Sequence, residues 1–99
     1  MNSKDALELV IAAIRELGQA GVIVDPPTTL DSDAELFGSG GFVDSLGLVQ
    51  LTVEVERMVA ESVGTPITLA DERAMSRSQS PFRTLGSLAA YIVELVRAQ

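Results

Sequence analysis

Twenty consecutive residues near the middle of the chain, DPPTTLDSDAELFGSGGFVD (25–44), follow neither a helical nor a strand period, although the segments on both sides are strongly periodic. Two prolines, the glycines at 38, 40 and 41, and clustered Asp, Ser and Thr all favour turns there. Idle loops of this length are uncommon in small domains, so the stretch has to be tied to a core or put to use. Leu30, Leu36, Phe37 and Phe42 are the side chains that can tie it.

The flanking segments read as helices. Leu7, Val10, Ile11, Ile14 and Leu17 recur at helical spacing, with Ser3 placed to cap the start and Gly18 and Gly21 to end it. A second helix is expected from Ser45 to about Ser62, capped by Asp44 and stopped by Gly64. In TLADERAM, Thr68 with Asp71 three residues on is an acidic variant of a capping box and predicts a short third helix. SRSQSPFR breaks that helix and reads as a surface linker. Thr84 or Ser87 then caps the last helix, where Leu85, Leu88, Ile92, Leu95 and Val96 form one stripe. The expected architecture is all-α: a single domain over 1–99, folded as a four-helix bundle with a long loop between helices one and two.

With 46% hydrophobic residues but three Phe, one Tyr and no Trp, the core must be aliphatic, which suits helices. The absence of cysteine removes disulfides, thiolate metal sites and thiol nucleophiles, and fits a reducing compartment. Neither a leader pattern nor an apolar run of membrane length is present, so a cytoplasmic protein without membrane insertion is expected, and nothing in the sequence demands more than a monomer. The net charge of −7 is unevenly placed: residues 25–72 hold ten acids and one base, Arg57, whereas residues 73–99 hold four arginines and a single acid, Glu94. An acidic middle repels nucleic acid and anionic lipid and attracts basic protein surfaces.

At about 100° per residue, the second helix sorts its apolar side chains into two sectors. Leu48, Leu51, Val55, Met58 and Val59 share one, the expected core face. Leu46, Val49, Val53 and Ala60 share another, roughly 150° away by the same helical geometry. Either the long loop folds over this second stripe, or the stripe is an exposed docking strip rimmed by Glu56 and Arg57.

Ser45 stands at the start of that helix, in FVDSLGL. A serine hydroxyl needs a base to become a nucleophile, and the chain contains no histidine and only one lysine, Lys4, in an unremarkable context. GSGG lacks the Gly-Lys-Ser/Thr ending of a phosphate-cradling loop, and DSDAE (31–35) lacks the glycine and terminal glutamate of a calcium loop. Intrinsic catalysis and a metal site are therefore not expected. A hydroxyl at a helix start is instead well placed to carry an attached anion, which the free N–H groups and the dipole favour.

With these features together, LFGSGGFVDSLGLVQLTVEVE resembles the acyl carrier protein family, and ITLADERAM and FRTLGSLAAYI look like the family's third and fourth helices. The resemblance covers most of the chain. It implies that Ser45 receives 4′-phosphopantetheine from coenzyme A through a separate magnesium-dependent phosphopantetheinyl transferase, with Asp44 capping the helix and presenting the serine. The arm's thiol would carry an acyl group as a thioester, loaded by a ligase and passed to downstream transferases of a specialised lipid, cell-envelope or secondary-metabolite pathway. Leu46, Val49, Val53 and Glu56 would meet those partners. Gly47 and Gln50 replace acids common in fatty-acid carriers, and Arg57 adds a positive charge, which points to a specialised carrier rather than the generic one. Gly47 reads as tolerated near a frayed helix end, with close approach of a partner or the arm as the other reading. An aminoacyl or peptidyl carrier and an unmodified helical adaptor are the alternatives.

Overall fold

The computed structural model describes residues 1–38, 40–69 and 80–98. Among them lie three α-helices, α1 (Ser3–Gln19), α2 (Ser45–Val63) and α3 (Leu85–Arg97), and no strand beyond two isolated bridges. Residues 70–79, on which most of the expected short third helix falls, lie outside the described residues. None of the described helices is long and apolar enough to cross a membrane.

Both helical packings share α1, which lies against α2 and against α3. Ala6, Val10, Ala13 and Ile14 from α1 meet Leu51, Val55 and Val59 from α2 and Leu85, Leu88 and Ile92 from α3 in one core. Leu7, Ile11 and Leu17, from the same predicted stripe, pack against the edge of that core. Each of these large side chains, once fully buried, contributes about 1.5–3 kcal/mol relative to exposure.

The helix ends are set by local chemistry. The cap of α1 is Asn2, not the expected Ser3: Asn2 has extended backbone and its Oδ1 accepts the Asp5 N–H at 2.8 Å, leaving Ser3 inside the first turn. Asn is as good an acceptor there as Ser, and its position three residues before Asp5 is the one that reaches the donor. Gly18 is absorbed into α1. Gly64, with φ of 77°, closes α2 as expected by donating its N–H to the Ala60 carbonyl at 2.9 Å. At α3 the two candidate caps act together: Thr84 Oγ1 accepts the Ser87 N–H and Ser87 Oγ accepts the Thr84 N–H, each at 3.0 Å. Ser87 Oγ also donates to the Pro81 carbonyl at 2.8 Å, tying the approach to α3 onto its first turn.

The linker reading of SRSQSPFR is corrected over its described part. Pro81 and Phe82 are buried, and Phe82 belongs to the core, because the chain has to return across the loop to start α3. The loop between α1 and α2 is pinned, with Leu36 fully buried and Leu30, Phe37 and Phe42 packed against the core edge. Its backbone is stitched to the entrance of α3: Leu36 N–H donates to Arg83 O at 2.7 Å, Leu85 N–H to Ala34 O at 3.1 Å, and Gly86 N–H to Ser32 O at 2.8 Å.

The GSGG run owes one of its glycines to this stitching. Val43 N–H donates to Leu36 O at 3.1 Å, and the crossing brings Gly41 so close that a Cβ there would run into the Leu36 carbonyl and lie 2.8 Å from Phe37 Cα. A Cβ at Gly40 would meet only the Glu35 carboxylate, the far end of a flexible side chain. Gly41→Ala is therefore expected to destabilise the fold by about 1–3 kcal/mol and Gly40→Ala by no more than ~0.5 kcal/mol in urea unfolding. Equal losses for the two would contradict the crossing geometry.

Candidate functional site

The loop delivers Val43 into the core and Asp44 to the surface, so α2 starts at the boundary between the two. Asp44 has extended backbone, and its Oδ1 accepts the Gly47 N–H at 2.7 Å. Ser45 is the first residue of α2 and is solvent-exposed. The first-turn N–H groups of a helix have no carbonyl partner within it, and the dipole adds partial positive charge, so an anion attached at this hydroxyl would sit in a favourable field.

Gly47 is not at a frayed end. It is buried beneath the cap, and a Cβ there would lie 3.1 Å from Asp44 Oδ1 and 3.1 Å from Val43 Cγ1. The close approach that this glycine permits is made by the chain itself, by the cap and the loop behind it. A cavity of about 100 Å³ lies alongside, between Ile23, Phe42, Val43 and Gly47.

Beside Ser45 the second apolar stripe of α2 faces outward: Leu46 is 69%, Val49 58% and Val53 59% exposed. The alternative that the loop folds over this stripe is excluded, because the loop spends its apolar side chains on the core edge instead. Ala60, at the far end of the stripe, is half-buried. On the expected core face, Leu51, Val55 and Val59 are fully buried while Leu48 and Met58 are half-buried. Thr52, on neither expected face, is buried and donates its hydroxyl to Val49 O at 2.8 Å.

Two exposed valines had no sequence signal as part of this surface. Val24, 73% exposed, and Val22 flank buried Ile23 in the loop after α1, and both line the cavity shared with Phe42 and Asp44. The alternation of Val22, Ile23 and Val24 hints at one inward and two outward side chains, but only the return of the loop to the start of α2 places them beside Asp44 and Gly47.

The rim differs from the expectation in how its charges are engaged. Glu56 is half-buried, and its Oε2 accepts the Leu69 N–H at 2.7 Å, so it anchors the segment carrying buried Ile67 and Leu69 to the flank of α2. Arg57 is paired along its own helix, with Glu54 three residues before and, at 3.0 Å, Glu61 four residues after. The hydrogen bond from Arg57 holds the Glu54 carboxyl below its ordinary range, against the opposing effect of desolvation; in turn Glu54, then Glu61, hold the Arg57 guanidinium up.

No protein-family model, no curated protein and no solved structure matches the chain.

Two outcomes follow from this geometry. Val49→Asp places a charge on an exposed position and is expected to change the unfolding free energy by no more than ~0.5 kcal/mol, with full helicity by circular dichroism. In Arg57→Gln the Glu54 carboxyl is expected to titrate at higher pH than in the parent when followed by carbon NMR. Because the folded-state value of Glu54 is lowered, its pair stabilises the fold at neutral pH and that contribution fades as pH falls through the acidic range; the variant should lack this part of the acid sensitivity.

Proposed function

We propose that this chain is a carrier protein in which Ser45 is the attachment point for 4′-phosphopantetheine. The observation that carries the reading is the juxtaposition at the start of α2: an exposed serine in the first turn, behind a capping aspartate, beside the exposed strip Leu46, Val49 and Val53. The sequence resemblance to acyl carrier proteins over the same residues supports it. The reading carries with it a four-helix bundle and a cytoplasmic location.

Each residue has a part in that function. Asp44 uses one oxygen to hold the first turn and so fixes the direction in which Ser45 leaves the surface. Ser45 Oγ is the acceptor in a transfer catalysed by a separate transferase: its O–H proton leaves, an O–P bond forms, and the pyrophosphate bond of coenzyme A breaks to release adenosine 3′,5′-bisphosphate. Buried Gly47 lets the cap and Val43 close in around it. The strip offers a partner enzyme apolar area next to the serine without a large conformational change. When bound, the arm supplies a thiol that carries an acyl group as a thioester. The protein's own contribution is delivery: a tether raises the effective concentration of one cargo at successive active sites, so each encounter can be weak.

Exposed Gln50 and buried Gly47, where fatty-acid carriers often bear acids, leave the strip apolar rather than acidic near the serine. That favours partners of a specialised pathway, namely a dedicated loading ligase and downstream transferases, and admits an aminoacyl cargo as the second reading. Incubation with coenzyme A, magnesium and a broad-specificity phosphopantetheinyl transferase is expected to add the mass of one phosphopantetheinyl group, and Ser45→Ala is expected to add none while keeping its helicity. Absence of any gain in the parent would favour an unmodified adaptor that uses the same strip.

A further inference from the structure

A second, larger concavity lies on a different part of α2. Between α1 and the C-terminal third of α2 runs an open groove of about 860 Å³, whose floor includes half-buried Leu9, Met58 and Val63. Its walls carry four carboxylates, Asp5, Glu8, Glu16 and Glu61, against the guanidinium of Arg57. Arg57 already shows the chemistry of this place: its guanidinium rests on Glu54 and Glu61, with Glu16 of the neighbouring helix adding to its stabilisation.

We infer that this groove is a docking site for a cationic amphipathic segment of a partner protein, whose apolar side chains lie on Leu9, Met58 and Val63 while its Arg or Lys side chains reach the carboxylates. Charge complementarity selects this occupant. A Lys or Arg stem packs on apolar floor while its head reaches an acidic wall, which is the pattern the groove presents. Anionic lipid and nucleic acid are disfavoured by the sign of the walls. Arg57 is engaged by its own helix, and Asp5 and Glu8 are exposed on α1. Arg57, the first α2 residue of the groove, follows Ser45 by twelve residues, which at 1.5 Å per residue is about 18 Å along the helix axis, and lies one turn beyond Val53 at the end of the strip. A segment in the groove would therefore leave Ser45 and the strip residues nearest it, Leu46 and Val49, open, while it adjoins the strip at Val53. The inference does not depend on Ser45 being modified.

The test uses the full chain and a synthetic helical peptide with Leu and Arg segregated to opposite faces, followed by amide chemical-shift mapping and fluorescence anisotropy. The expected result is shifts centred on Leu9, Met58 and Val63, a marked loss of affinity at high salt, and about tenfold weaker binding to the double variant Glu8→Lys with Glu16→Lys. Both positions are exposed, and the double variant is checked for parental helicity by circular dichroism before binding is measured. Val49→Asp should bind the peptide as the parent does. The inference is overturned by any of four outcomes: no binding; equal binding of a scrambled peptide of the same composition; shifts centred on Leu46, Val49 and Val53; or sedimentation showing that the groove is closed by a second copy of the chain.

Discussion

Leu36 is where the chain is held together. Its side chain is fully buried, its N–H is bonded to Arg83 O, and its carbonyl accepts from Val43 N–H, so one residue joins the core, the entrance to α3 and the entrance to α2. Both main-chain groups of a buried residue need partners, and here the partners come from two distant parts of the sequence. The loop from 20 to 44 is consequently a structural member. By bonding Leu36 to Val43, it decides where α2 begins and which way Asp44 and Ser45 face. Gly41 is the local condition for that bond, because no side chain fits where the two segments of the loop cross.

From that starting point α2 has more apolar surface than the domain can cover. α1 takes the face with Leu51, Val55 and Val59; the loop, already committed to the core edge, does not reach Leu46, Val49 and Val53. An exposed apolar strip at the end of a pinned loop is a surface available for association, and exposed Val24 adds to the apolar area near the same end. Asp44 completes the arrangement with one hydrogen bond, holding the first turn so that Ser45 stands at a fixed place beside the strip.

The charges of α2 are distributed away from this end. Glu54, Arg57 and Glu61 form a short ladder along the helix, and Glu56 is bonded to the backbone of Leu69. The acids that α2 itself carries thus lie on its far part, where carboxylates of α1 join Glu61 around an apolar floor. One helix thus presents an apolar surface at its start and an acid-walled groove near its end.

Much of this was legible in the order of residues. Periodic apolar spacing located the three described helices, because burying a stripe at 3.6 residues per turn is a local property. Asp44, Gly64 and the Thr84 and Ser87 pair could be read as helix ends because each acts on backbone groups within four residues. The two-faced character of α2 followed from the same arithmetic. Only the tertiary structure decided which face stays open, since that depends on where the loop from 20 to 44 lands, and its landing is settled by contacts distant in sequence such as Leu36 with Arg83. It likewise turned Phe82 inward, committed Glu56 to Leu69 and brought Val24 to the cavity beside Asp44 and Gly47. Local patterns state what each element can bury; which partner it meets is a matter of long-range packing, and that is visible only when the chain has closed on itself.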